Sequence, residues 1–104
     1  MTALSDSPAS PMRALTASVR LRHDAGLHAR PAVKVTKLAK KFASRVSLAV
    51  SPNGPWIDAK SIVKVMGAKV PSDTILHFRA EGPDAQSALD ALVGLVERDF
   101  PDDA

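Results

Sequence analysis

The chain has 104 residues, of which 45% are hydrophobic and 24% charged, a composition typical of one small globular domain. It contains no cysteine, which excludes disulfides, thiolate metal sites and cysteine nucleophiles. Residues 1–52 carry nine Lys and Arg against two Asp, whereas residues 53–104 carry five basic and nine acidic residues, so a net charge of +3 hides a basic and an acidic half. This asymmetry predicts a face for an anionic ligand or an acidic partner.

The two ends of the chain differ in composition from its middle. Residues 1–13 are rich in Ser, Ala, Thr and Pro without an apolar period, and we interpret them as a disordered extension. Residues 101–104 form a short acidic tail. No internal repeat is present, so residues 14–100 are predicted to form one domain. Because apolar runs are short and no secretory signal pattern opens the chain, we expect a cytoplasmic protein without a transmembrane helix.

Apolar residues in this domain recur first with the period of a strand and then with that of a helix. The alternation from Ala14 to Leu21 predicts a strand, which ends in a turn over residues 23–26. A helix is predicted from Ala29, with Pro31 near its start. Its apolar stripe consists of Ala32, Val35, Ala39 and Phe42. The opposite face carries Arg30, Lys34, Lys37 and Lys41.

The rest of the domain continues this alternation of strands and helices. Residues 45–51 predict a strand with Val46, Leu48 and Val50 on one side, and a turn over residues 52–55 leads into a short return strand over residues 56–58. A short helix is predicted over residues 61–69, with Ser61 near its N-terminus. Residues 74–80 predict a strand with one apolar side formed by Leu76, Phe78 and Ala80. The last helix follows Asp84, whose charge suits the helix dipole, and its stripe consists of Ala85, Leu89, Leu92 and Val96.

The predicted order is therefore β-α-β-β-α-β-α. Strands with one apolar side, interleaved with helices, favour an α+β sandwich in which the helices cover one side of an antiparallel sheet. A parallel, doubly wound sheet is less compatible with the sequence, because the strands are half polar and a hairpin joins the short return strand.

The segment GLHARPA (residues 26–32) has the composition of an anion site at a helix start. His28 precedes the predicted helix, whose first amides and dipole attract anions, and the planar guanidinium of Arg30 suits phosphate oxygens. Gly26 permits a turn with positive φ. An imidazole in this place can act as a nucleophile toward phosphorus. The spacing is equally compatible with His28 as a capping side chain and Arg30 as a solvated surface charge.

Three segments together resemble the HPr family, the histidine-containing phosphocarriers of the bacterial phosphoenolpyruvate-dependent phosphotransferase system. GLHARPA (residues 26–32) is similar to the phosphohistidine motif, DAKSI (58–62) to the regulatory-serine motif, and AEGPD (80–84) to the junction into the last helix. The resemblance covers nearly all of residues 15–97. It implies an open-faced β-sandwich, a four-stranded antiparallel sheet with three helices on one face.

The resemblance also implies the roles of individual residues. His28 would accept a phosphoryl group on Nδ1, Arg30 would pair with that group, and the backbone amides of Ala29 and Arg30 would hold its oxygens. Ser61 would be the target of a serine kinase and a phosphorylase; its other interpretation is a plain N-cap residue. The family commonly carries a glycine near the end of the second helix, where this chain has Lys69.

The predicted partners are proteins. The resemblance implies enzyme I as phosphoryl donor and IIA-type domains as acceptors. Docking is expected at Lys34 and at an apolar set whose burial the sequence leaves open, Ile62, Val63 and Met66. The lysines of the first helix are either a solvated face or part of the same docking surface. We expect a monomeric carrier, not an enzyme, that needs no cofactor, metal ion or membrane; His23 and His77 share no metal-ligand spacing with His28.

Two alternatives to a sugar-transport phosphocarrier stay open. A regulator on the nitrogen-related branch of the same system would share the chemistry of His28 and differ only in its partners. A nucleic-acid-binding module could use the basic helix, but few aromatic residues, an acidic second half and the lack of a GxxG or RNP-type motif disfavour it.

Overall fold

The computed structural model describes residues 14–22 and 26–101. The predicted extension over residues 1–13, the turn that starts at His23 and residues 102–104 of the predicted tail lie outside the described residues. Over the described ranges, no helix combines the length and the apolarity that crossing a membrane requires. The elements follow the predicted order: β1 (Ala14–Leu21), α1 (Ala29–Ala39), β2 (Arg45–Ala49), β3 (Ile57–Asp58), α2 (Ile62–Gly67), β4 (Thr74–Glu81) and α3 (Ala85–Glu97).

The four strands form one antiparallel sheet in the order β1-β4-β2-β3. β4 lies between β1 and β2, and its register runs from Ala14 opposite Glu81 to Leu21 opposite Thr74 on the β1 side. Alternation along β4 turns Leu76, Phe78 and Ala80 toward the core, as predicted. The helices pack on that side, so the α+β open-faced sandwich is confirmed.

The core between sheet and helices is aliphatic, with Phe78 its largest fully buried side chain. The predicted stripe of α3 is buried in full, and so are three of the four predicted residues of the α1 stripe, Ala32, Val35 and Ala39. Each fully buried Leu or Val stabilises the fold by about 1.5–3 kcal/mol, so α3 is held chiefly by its leucines. The fourth residue of the α1 stripe, Phe42, follows the end of the helix and packs at the edge of the core.

Four elements have bounds that differ from the predicted ones, and the difference in β4 is one residue, since it ends at Glu81. β2 ends at Ala49, and Val50 is 47% exposed. The reason is a tight turn that follows directly, in which the Gly54 amide donates a hydrogen bond to the Ser51 carbonyl at 3.0 Å. Trp56 precedes β3 and is not part of it. α2 is shorter than predicted, beginning at Ile62 and ending at Gly67.

Asp84 fixes the loop between α1 and β2 to the start of α3. It occupies the N-cap position of α3, but its side chain makes no capping bond within that helix. Its carboxylate instead accepts hydrogen bonds from the amides of Ala43 and Ser44, both at 2.9 Å, and from the Ser44 hydroxyl at 2.5 Å. The Ser44 hydroxyl bond, followed by the Ala43 amide bond, holds the pKa of Asp84 below its ordinary value, because both stabilise the charged carboxylate.

The residues before α1 are held against the segment that precedes β4. The Leu27 amide donates to the Val70 carbonyl at 2.9 Å, and the Leu27 side chain is buried. Gly26 has a φ of +72°, and a β-carbon there would overlap the Val70 carbonyl oxygen and lie 2.9 Å from the Ser72 nitrogen. A side chain at residue 26 is therefore excluded both by φ and by space.

The end of β1 is joined to the same segment. The Asp73 amide donates to the Leu21 carbonyl at 2.7 Å, and the Arg20 guanidinium forms an ion pair with the Asp73 carboxylate at 2.7 Å. Both charged side chains are well exposed, so this ion pair contributes at most about 1 kcal/mol. The backbone bonds of residues 70–73 thus fix where β1 ends and where α1 begins.

We expect Asp84→Asn to lower the free energy of unfolding at neutral pH, and we expect this effect to become smaller as the pH falls. Because the native pKa of Asp84 is lowered, its bonds stabilise the fold fully above the ordinary pKa of an aspartate, and this stability is lost as the pH falls through the lower native pKa. Urea unfolding of both proteins from pH 7 to pH 2 tests this. A difference in free energy of unfolding that stays constant over that range would contradict it.

Gly26→Ala should lower the free energy of unfolding by about 3 kcal/mol, from the positive φ and the overlap with Val70. Gly67→Ala is the matched control, because a β-carbon at residue 67 meets nothing within 4 Å in the last turn of α2. Alanine there should stabilise by about 0.5–1 kcal/mol. Urea unfolding curves for the two variants should move in opposite directions; a Gly26→Ala curve that coincides with wild type would refute the packing argument.

Candidate functional site

His28 lies at the N-cap position of α1, directly after the anchored Leu27. Its backbone is extended, its carbonyl accepts the first helical hydrogen bond from the Ala32 amide at 2.9 Å, and its side chain is exposed. The imidazole makes no capping hydrogen bond to the helix. The interpretation of His28 as a capping side chain is therefore wrong.

The first turn of α1 presents backbone amides next to His28. Since the helix begins at Ala29, Pro31 is its third residue and has no N–H, so the amides of this turn are those of Ala29 and Arg30. Amides of a first helical turn point out along the axis, at the positive end of the helix dipole. No acidic residue lies in this turn. The arrangement suits a dianionic phosphoryl group beside the imidazole.

A groove of about 500 Å³ runs from this turn along the outer side of α1. Its apolar floor includes Val33, Leu38 and Leu95, and its basic rim consists of Arg30, Lys34, Lys37 and Lys41. Lys34 differs from the others: it is partly buried, and its amine donates to the Pro101 carbonyl at 2.7 Å. The predicted lysine face is thus an exposed basic rim, with one member joined to the chain that follows α3.

The apolar set on α2 is divided between surface and core. Val63 is 78% exposed and Met66 42% exposed, whereas Ile62 is partly buried against the core. The inward-facing residue of this helix is Val65, which is fully buried. α2 packs against α1, so Val63 and Met66 lie on a helix adjacent to the one that forms the groove.

Ser61 is the N-cap residue of α2. Its hydroxyl accepts a hydrogen bond from the Lys64 amide at 3.3 Å, which confirms the N-cap interpretation of this serine. At the other end of α2, Ala68 is still right-handed and Lys69 has a φ of +51°. Lys69 therefore occupies the left-handed position after the helix, where glycine is favoured, and the departure seen in the sequence costs about 1 kcal/mol of backbone strain.

Some parts of the site could not be located from residue type alone. Residue type gave no indication of the bonds that Val70 forms with Leu27 and that Lys34 forms with Pro101. Gly26, by contrast, did indicate the turn with positive φ before α1. His77 lies on β4, opposite Ser18 of β1, and is not part of the first turn of α1. Within residues 14–22 and 26–101, no three His, Asp or Glu residues gather in a way that could hold a metal ion.

Comparison with known proteins agrees with this geometry. A family model described as the PTS HPr component phosphorylation site matches residues 15–98. The phosphocarrier protein HPr of Cupriavidus necator is 43% identical over 75 residues, which are 72% of this chain and 82% of that protein. The multiphosphoryl transfer protein of Vibrio cholerae is 43% identical over 81 residues, or 77% of this chain, but the chain spans only 20% of that protein's length.

A solved structure gives the same result for the fold. The crystal structure of HPr-C-His from Thermoanaerobacter tengcongensis superimposes with a TM-score of 0.76 at 34% sequence identity, covering 83% of this chain and 94% of that one. The family match spans most of the chain and includes the segment around His28 and the segment around Ser61. The chain belongs to the HPr family, the phosphocarriers of the phosphotransferase system.

Proposed function

We propose that the chain carries a phosphoryl group on Nδ1 of His28, receiving it from enzyme I of the phosphotransferase system and passing it to IIA-type domains. The observation that carries this proposal is the exposed imidazole of His28, the N-cap residue of α1, which directly precedes the first-turn amides and makes no capping bond to them. Membership of the HPr family supports the same assignment. The chain acts in this scheme as a stoichiometric carrier rather than as an enzyme, in the cytoplasm.

The transfer is an exchange of nitrogen–phosphorus bonds. The lone pair of neutral His28 Nδ1 attacks the phosphorus of a phosphohistidine on enzyme I, forming one N–P bond as the other breaks, and the electron pair returns to the donor imidazole. In the second step, the nucleophile of the acceptor attacks the phosphorus on His28. Neither step needs an oxidant, a cofactor or a further covalent intermediate, so positioning and charge stabilisation supply most of the rate.

Arg30 and the first-turn amides act on the transferring group itself. The three equatorial oxygens of the phosphoryl group carry the charge in the transition state. The amides of Ala29 and Arg30 lie at the positive end of the α1 dipole, and the Arg30 guanidinium adds a planar fork of donors. The two amides stabilise the charge with little reorganisation, because the bond of the Leu27 amide with the Val70 carbonyl anchors the backbone at the start of the helix.

Enzyme I and IIA-type domains would dock on the side that α1 and α2 share. The basic rim of the α1 groove suits an acidic partner surface, and the exposed Val63 and Met66, with the edge of Ile62, supply an apolar centre. Lys34 keeps its positive charge but is less free to reach a partner than the rest of the rim, since its amine also bonds the Pro101 carbonyl. An apolar centre with a charged rim is the usual composition of a transient protein interface.

Incubation with enzyme I, magnesium and radiolabelled phosphoenolpyruvate should label the wild-type protein in an acid-labile form. His28→Ala should abolish the label, and His77→Ala is the matched histidine control that should keep it. Arg30→Gln should slow labelling at least about tenfold while the fold stays intact, because it removes one preorganised donor from the transition state. Label that persists on His28→Ala would disprove the site.

A comparison of sugar-branch and nitrogen-branch IIA domains as phosphoryl acceptors would identify the branch of the phosphotransferase system in which the chain acts.

We further propose that Ser61 is phosphorylated by a serine kinase and restored by a phosphorylase. A phosphate on Ser61 would lie at the start of α2, within two residues of the exposed Val63, and would add about two negative charges to the docking side. The amides at the start of α2 would stabilise it. Repulsion would then weaken docking of an acidic partner.

Ser61→Ala and Ser61→Asp separate the structural from the regulatory role of this residue. Ser61→Ala should lower the free energy of unfolding by about 1 kcal/mol through loss of the cap and leave transfer from enzyme I unchanged. Ser61→Asp should keep the stability and slow the transfer. Incubation with the serine kinase of the same organism and ATP should label wild type only; no label on wild type would refute the modification.

A further inference from the structure

The side of the sheet opposite the helices carries a pocket that phosphoryl transfer at His28 does not use. It has a volume of about 560 Å³ and is lined by Arg45, Val46, Ser47, Trp56, Asp58, Lys60 and Arg79. In the sheet register Arg79 lies opposite Ser47, and Ser47 lies opposite Asp58, so these side chains form one row across β4, β2 and β3. Arg45 precedes Ser47 by two residues and points to the same side.

Two guanidinium groups line this pocket, and one of them, that of Arg79, is held in place by an aromatic ring. Arg79 lies over the Trp56 ring, 4.5 Å from the centroid, which orients the guanidinium plane and leaves the N–H groups at its edge able to donate. Across the ranges that the structure describes, the side chains of Arg45 and Arg79 form no ion pair and no hydrogen bond, although Glu81 lies opposite Arg45 in the register and Asp58 also lines the pocket. Uncompensated guanidinium pairs of this kind suit oxyanions.

A buried hydroxyl points to a ligand at the same place. Ser47 is only 8% exposed, and among the described residues its hydroxyl has no hydrogen-bond partner. Buried polar side chains nearly always have one, so the partner of Ser47 is expected in the pocket. Asp58 and Lys60 are not that partner: the Asp58 carboxylate accepts from the Lys60 amide at 2.9 Å, the Lys60 amine donates to the Phe42 carbonyl at 2.8 Å, and neither side chain bonds Ser47.

We propose that this pocket binds a small phosphate ester that carries a ring. The phosphate would lie between Arg45 and Arg79 and accept from the Ser47 hydroxyl, and the ring would pack on the part of the half-buried Trp56 indole that Arg79 leaves uncovered. A tetrahedral oxyanion matches two guanidinium forks and a hydroxyl better than a planar carboxylate does, because it offers a third oxygen outside the plane. The volume is that of a small-molecule site rather than of an extended groove that would bind a polymer.

Trp56 is the only tryptophan of the chain, so its fluorescence reports on this pocket. We would titrate the protein with inorganic phosphate, ribose 5-phosphate, AMP and uncharged ribose, recording fluorescence and the amide shifts of residues 45–47 and 79. The two esters should produce saturable changes at these positions and bind more tightly than inorganic phosphate, and ribose should produce none. Added salt should weaken the binding, because the attraction is between charges at the surface.

Variants assign the binding to the pocket. Arg45→Gln and Arg79→Gln should each weaken ester binding about tenfold or more, and Arg79→Lys should fail to restore it because lysine lacks the planar fork. Arg20→Gln, which removes the same charge on the same side of the sheet but outside the pocket, should leave it unchanged. His28→Ala should also bind normally, so failure here and failure of phosphoryl transfer are distinguishable.

Five outcomes would overturn the proposal, four of them in the titrations with small ligands. These are no saturable change by either measurement with any phosphate probe, shifts confined to residues 28–30, binding that Arg45→Gln and Arg79→Gln leave intact, and equal affinity for inorganic phosphate and both esters. A short RNA that binds where the monophosphates do not would likewise contradict a small-molecule site.

Discussion

The hydrogen bond from the Leu27 amide to the Val70 carbonyl fixes where α1 begins, and the geometry around His28 depends on it. The backbone of residue 26 passes so close to residues 70–72 that only glycine fits. With Leu27 buried one residue before His28, the imidazole has little freedom except rotation of its own side chain. A nucleophile held in this way loses little conformational entropy when a donor protein approaches, which is the main requirement of a transfer that depends on alignment.

The two sides of the sheet have different chemistry. The helical side combines exposed apolar residues, a basic rim and the exposed imidazole, which is the composition of a transient protein-binding surface. The open side carries a small concave site with two guanidinium groups, of which that of Arg79 is oriented by Trp56. The alternation of a β-strand produces this division, since adjacent residues such as Arg79 and Ala80 necessarily point to opposite sides.

Much of the fold could be predicted from the sequence because apolar periodicity is a local signal. The stripe of Leu76, Phe78 and Ala80 and the stripe of α3 predicted both the elements and their buried sides. The prediction that Val50 lies on the buried side of β2 was wrong, because the turn that begins at Ser51 redirects the backbone. The bonds of Asp84 with Ala43 and Ser44 had no local signal in the sequence, because they join residues 41 and 40 positions apart.

In the candidate site, too, local features could be predicted from the sequence and long-range contacts could not. The GLHARPA segment indicated His28, Ala29 and Arg30 because the chemistry of a helix start is encoded within a few residues. The bonds of Leu27 with Val70 and of Lys34 with Pro101 join residues 43 and 67 positions apart, and nothing local to either partner encodes them. The pocket around Ser47 needed the strand register, which sets Arg79 beside it, before it could be recognised.

The position of β4 between β1 and β2 has a consequence for how the protein is made. β1 and β2 have no bonds to each other and are joined only through a strand that begins at Thr74. During translation, the segment around His28 is therefore synthesised well before the residues that hold it in place. The nascent N-terminal half cannot assemble the site on its own, and competence for phosphoryl transfer should arise in one late, cooperative step once β4 is inserted.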